Sequence, residues 1–109
     1  MTARLASSVL VGALVRKAQS EGGFAAVLAK GDPAAGAVLV VLLERGENPR
    51  ILERSLDGNG EYCWAAEAKP SEEVPQLVDR KKRYDPDLWV LELDIPSAER
   101  FAAEINSLD

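Results

Sequence analysis

The chain has no histidine and only one cysteine, Cys63. Each scarcity closes off chemistry. Without histidine, Ser-His-Asp and Cys-His catalysis cannot be assembled within one chain, and neither can a histidine-bearing zinc site. With a single cysteine no intramolecular disulfide can form, which fits a reducing compartment. Aromatic residues are also few, 6% of the chain. Positive charge is in deficit: 13 Lys and Arg stand against 18 Asp and Glu, for a net charge of −5. A general nucleic-acid binder is usually basic overall, so that class is disfavoured. Apolar runs are short. The longest near the N-terminus, Leu5 to Val15, follows Ala3-Arg4 and runs at once into Arg16-Lys17. It lacks a small-residue cleavage site and is too short to span a bilayer. The expectation is a cytoplasmic protein with no membrane segment.

What is present suits a globular domain. Apolar residues make up 47% of the 109 residues and charged residues 28%. A chain of this length forms one domain, residues 1–109, and can bury one core without staples. No repeat, low-complexity tract or dividing linker interrupts it.

The periodicity predicts the elements. A first helix starts near Ser7 or Ser8, one of which serves as its cap, and runs to about Glu21, with Gly22-Gly23 as its stop. Leu10, Val11, Leu14, Val15 and Ala18 share its inner face, while Leu5 and Val9 fall toward the polar side. Phe24 to Ala29 reads as a strand. Ala37 to Leu43 is apolar at every position, so it predicts a central strand covered on both faces. Gly46 to Pro49 reads as a turn and Arg50 to Leu56 as a third strand. Asp57-Gly58-Asn59-Gly60 is a hairpin signal. Glu61 to Ala66 is the fourth strand, with Tyr62 and Trp64 on one face and Cys63, read as a small buried hydrophobe, on the other.

Ser71 is placed to cap a second helix whose inner stripe is Val74, Leu77 and Val78, with Tyr84 in register. Leu88 to Ile95 alternates as a half-buried fifth strand. Ser97 caps a last helix with Ala98, Phe101, Ala102, Ile105 and Leu108 along one side. The order is α-β-β-β-β-α-β-α. It predicts an α+β fold: one mainly antiparallel five-stranded sheet, a four-strand meander plus one strand after a helix, packed with three helices. The crossover through the second helix suggests the fifth strand beside the first, in order 4-3-2-1-5. Leu14, Val40, Leu91 and Phe101 are expected in one core.

Several segments resemble an uncharacterised bacterial family, domain of unknown function 1491, small proteins typical of alphaproteobacteria. They are Arg4-Leu5-Ala6-Ser7-Ser8-Val9, Gly12-Ala13-Leu14-Val15-Arg16, and Glu21-Gly22-Gly23-Phe24-Ala25-Ala26-Val27-Leu28. Gly31-Asp32 with Gly36-Ala37, and Asp85-Pro86-Asp87-Leu88-Trp89-Val90-Leu91-Glu92, belong to the same likeness. It covers nearly the whole chain and implies a single-domain bacterial protein. It brings no activity, cofactor or catalytic residue.

Candidate sites are few. Gly31 to Gly36 has two glycines but lacks the Lys and Ser or Thr of a phosphate loop, and a strand follows it instead of a helix. Glu92 and Asp94 share a strand face and, with Glu53, could serve a hard cation; a solvated strand face is the plainer reading. Cys63 has no base to activate it. Arg80, Lys81, Lys82 and Arg83 with Tyr84 form a basic edge. Four cations in a last helical turn stabilise the helix dipole, with Asp85 and Asp87 as turn or pairing partners. The same edge would suit an anionic ligand.

No catalytic, cofactor-binding or metal set emerges. The leading reading is a small non-catalytic protein acting through a protein partner or as a homodimer. Its motive is apolar surplus on the first helix and central strand. The alternatives are a nucleic-acid or anionic-ligand accessory protein using Arg80 to Arg83, and a small metal-dependent enzyme using strand carboxylates.

Overall fold

The structure is a computed structural model that describes residues 6–56 and 58–105, without the side chains of residues 55, 56 and 62. Leu5, Asp57 and Leu108, and the side chain of Tyr62, therefore lie outside the described residues. Three helices, α1 (Ser7–Ser20), α2 (Val74–Tyr84) and α3 (Ala98–Glu104), accompany five strands. The strands are β1 (Phe24–Ala29), β2 (Val38–Glu44), β3 (Glu47–Leu56), β4 (Tyr62–Ala68) and β5 (Trp89–Ile95). The α+β class and the element order are those the sequence implies.

The strand order differs. It is β1-β5-β2-β3-β4, with β5 inserted between β1 and β2 instead of lying outside β1. β5 pairs antiparallel with β1 and parallel with β2. The reason is burial. Trp89, Val90, Leu91, Leu93 and Ile95 are all buried, so β5 carries apolar groups for both faces. β1 offers Ala25, Ala26 and Ala29, which lose less by sitting at an edge.

The sheet is covered on both sides. On the first face α1 and α3 bury Leu10, Leu14, Val40, Leu42, Leu91, Leu93 and Phe101 in one cluster. On the second, Leu39, Val41, Ile51 and Val90 meet Val74, Leu77 and Val78 of α2. This double cover is why β2 is apolar from Val38 to Leu43. It also uses up that strand's apolar surplus inside the chain. Leu14, Val40, Leu91 and Phe101 do share one core.

Local chemistry closes the elements, partly in unexpected ways. Ser97 caps α3 by accepting from Arg100 N at 3.4 Å, and Glu44 Oε1 accepts from Ala98 N at 2.9 Å. α1 has no side-chain cap. Its first amides, on Ser7 and Ser8, donate to the carbonyls of Ala34 and Pro33 at 3.2 and 2.9 Å. The Ser7 hydroxyl is spent elsewhere, donating to Gly36 O at 2.6 Å. Ser71 does not cap α2 either; it opens a single 3-10 turn, Ser71–Glu73, behind Pro70. The turn between β2 and β3 is tighter than the sequence suggests. Arg45 and Gly46 both have positive φ, 53° and 78°, the signature of a two-residue hairpin loop. β3 therefore starts at Glu47, and Asn48, also at φ 53°, marks an irregularity in its register.

At the far end, Lys17 binds α3 to α1. Its Nζ lies 3.0 Å from both Glu21 and Glu104 and 5.5 Å from the Phe101 ring centre. The bond Lys17 donates to Glu104, then that to Glu21, raises the Lys17 pKa. Glu104 is lowered in turn, first by Lys17 and then by Arg100.

Candidate protein-contact surface

The basic stretch occupies the end of α2. Lys81 alone of the quartet is ion-paired among the described residues, with Glu53 Oε1 on β3 at 2.9 Å. Arg80, Lys82 and Arg83 are exposed, and Tyr84 is 84% exposed instead of joining the inner stripe. Asp85 N donates to Lys81 O at 3.0 Å, and Asp85 Oδ1 accepts from Asp87 N at 3.0 Å. Asp85 thus builds the Pro86-Asp87 turn. Among the described residues neither it nor Asp87 pairs with the cations.

The carboxylates are dispersed. Glu53 is engaged by Lys81. Asp94 Oδ1 accepts from Gly46 N at 3.0 Å, bracing the hairpin. Glu92 stands beside Val41 in the register of β5 on β2. Among the described residues no three His, Cys, Asp or Glu groups come together as a cation site. Cys63 is half-buried, not enclosed as expected.

The Gly31 to Gly36 connection is a structural knot. Asp32 N donates to Asp87 O at 3.0 Å, and Trp89 Nε1 donates to Asp32 O at 2.8 Å. Asp32 Oδ2 in turn accepts from Ala34 N and Ala35 N. The loop arches over the start of β5 and links β1 to β2 across it.

A different surface is left open. Among the described residues β1 is a sheet edge, paired only with β5. Its six residues, FAAVLA, carry no charge. Phe24 is 78% exposed, Leu28 50% and Val27 46%. Pairing fixes their directions. Phe24 opposes Asp94 and Ala26 opposes Glu92, so both share the second sheet face with those acids. A bulge between Val27 and Ala29 turns Leu28 into a groove on the same face. The groove has a volume of about 500 Å³ and lies between α2 and the sheet. Leu28, Val41, Leu43, Val74 and Val78 line it, with Glu92 and Asp79 as its charged members. It exists because α2 is eleven residues long and covers only part of that face.

The opposite edge is different. β4 carries exposed Glu67, follows exposed Glu61 and precedes Lys69. Charges of that kind discourage strand addition. The sequence pattern alone does not single out β1. Its uncharged six-residue run was the available signal, but edge status depends on the strand order.

Comparison with known proteins agrees with this architecture. The model of a family described as protein of unknown function, DUF1491, matches residues 5–103. The chain belongs to the DUF1491 family. A crystal structure of a DUF1491 protein from Caulobacter crescentus CB15 is 35% identical, with a TM-score of 0.81. That match covers 90% of this chain and 94% of that one. An NMR structure of a DUF1491 family protein from the same organism gives 33% identity and a TM-score of 0.78, covering 92% and 94%. A solution structure of a protein from A. tumefaciens gives 30% and 0.76, covering 91% and 92%. A search of curated proteins gave no match. The segments that mark the DUF1491 likeness include Gly31, Asp32, Gly36, Asp87 and Trp89, which are the members of the loop knot.

Proposed function

We propose that this DUF1491 protein is a non-catalytic contact module of the cytoplasm, whose open β1 edge takes an added strand from a protein partner. One observation carries the reading: among the described residues β1 is an uncovered edge, uncharged over its whole length, with three exposed apolar side chains. Main-chain bonds along such an edge supply affinity, and pockets beside it supply selectivity. The groove next to Leu28 is such a pocket, with Glu92 and Asp79 to receive a cationic side chain. Among the described residues no helix is long and apolar enough to cross a membrane.

A second reading keeps the basic edge. Arg80, Lys82 and Arg83 have no carboxylate partner among the described residues and flank exposed Tyr84. That arrangement suits phosphate-bearing ligands. Against it stands the overall charge of −5.

One set of baits separates the two. The double variant Phe24→Lys/Ala26→Lys places cations opposite Asp94 and Glu92, so the fold tolerates it. Proteins retained by the wild type in quantitative affinity purification should be lost with this variant. They should persist with Lys81→Gln/Lys82→Gln, which should cost less than about 1 kcal/mol because its one ion pair is half-exposed. The reverse pattern, with salt-sensitive capture of RNA or DNA, promotes the basic edge.

A further inference from the structure

Resting on that reading of β1, we infer that the strand's occupant is a second copy of this chain, paired antiparallel about a two-fold axis. Such pairing sets the residue at the axis against its own copy, so a charge there would meet a like charge. β1 has none. Two molecules of net charge −5 repel, and an uncharged edge is where they approach at least cost. The flanks then match. Glu21, which already holds Lys17 at 3.0 Å, is separated from the strand by Gly22 and Gly23, and exposed Lys30 follows it. Antiparallel pairing brings each Lys30 toward the Glu21 end of the other copy.

The axis stands perpendicular to the sheet, so like faces stay on the same side. Phe24 and Leu28 of each copy then join one apolar row across the seam, and the two grooves open on one face of a ten-stranded sheet. Size sets the strength. Six residues span roughly 20 Å, while a stable specific interface buries about 800 Å² per partner. The strand falls short of that, so Phe24, Val27 and Leu28 must contribute side-chain area. The resulting dimer is weak, with a dissociation constant on the order of micromolar or above.

Sedimentation equilibrium of the full chain over a concentration series tests this. Single cysteines placed in turn at positions 24–28, in a Cys63→Ala background, supply the geometry. The expected result is a reversible monomer–dimer equilibrium, abolished by Phe24→Lys/Ala26→Lys, with oxidation crosslinking the copies at the β1 position nearest the axis. A monomer throughout, up to roughly millimolar concentration, overturns the inference, since an edge that pairs more weakly has no role in a cell. So does a dimer that the double variant leaves intact. If the chain is monomeric while the affinity baits still lose a different protein with the same variant, self-pairing is wrong and the reading of β1 as a contact edge stands.

Discussion

Leu91→Ala lowers the free energy of unfolding by about 2–5 kcal/mol. Leu91 has no solvent exposure and lies in β5, between β1 and β2. It opposes Val27 on one side and Val40 on the other. Its side chain joins Leu14, Val40 and Phe101 in the cluster beneath α1 and α3. Truncation removes apolar contact and leaves a void walled by a sheet fixed on both flanks, which relaxes poorly. For a domain of this size the thermal midpoint falls by roughly 10 °C or more. An unchanged midpoint in calorimetry would contradict the placement of β5 at the centre of the sheet.

Gly31→Ala is the second large effect, about 2–4 kcal/mol. The cause is steric. A Cβ at Gly31 would sit 2.1 Å from Asp87 O, 2.7 Å from the Leu88 carbonyl carbon and 2.7 Å from Trp89 Cδ1. Two of those are backbone atoms, so the loop must lift off β5. Lifting breaks the bonds from Asp32 N to Asp87 O and from Trp89 Nε1 to Asp32 O. It also disturbs Pro33 and Ala34, whose carbonyls receive the first amides of α1. Gly58→Ala is the matched control, because nothing lies within 4 Å of a Cβ there and its backbone is not left-handed. Denaturant midpoints for the two variants should separate clearly. Equal midpoints would mean that the knot does not hold the loop.

These two sites show what a single sequence displays and what it conceals. The seven apolar residues Ala37 to Leu43 announced a strand buried on both faces, because that demand is written in one contiguous run. Ser97 was legible as a cap because its partner, Arg100 N, is three residues away. Ser7 was not, because the groups that close α1 come from Pro33 and Ala34. Their approach depends on tertiary structure. The place of β5 was hidden for the same reason: a half-buried alternation in Leu88 to Ile95 suits an edge or an interior strand. Only the apolar load of Trp89 and Val90, set against the alanines of β1, favours the interior.

The site follows that pattern. Arg80 to Arg83 stood out as a charge run, yet Lys81 is engaged by Glu53 from a strand remote in sequence. Glu92, Asp94 and Glu53 share one sheet face, but hairpin and helix partners occupy two of them. FAAVLA does not read as an open edge, because openness is a property of topology. Once β5 takes the neighbouring position inside the sheet, β1 is left at the margin, its outer edge unpaired among the described residues.

β1 is proposed as the working edge of the molecule. A photoreactive amino acid at position 26 or at position 82, in the full chain and in its native cell, tests it most directly. Ala26 lies on β1 facing the groove side, and Lys82 lies in the basic stretch; both are exposed. Protein adducts are expected from position 26, to a second copy or to a partner, and none from position 82. Adducts confined to position 82 would contradict it.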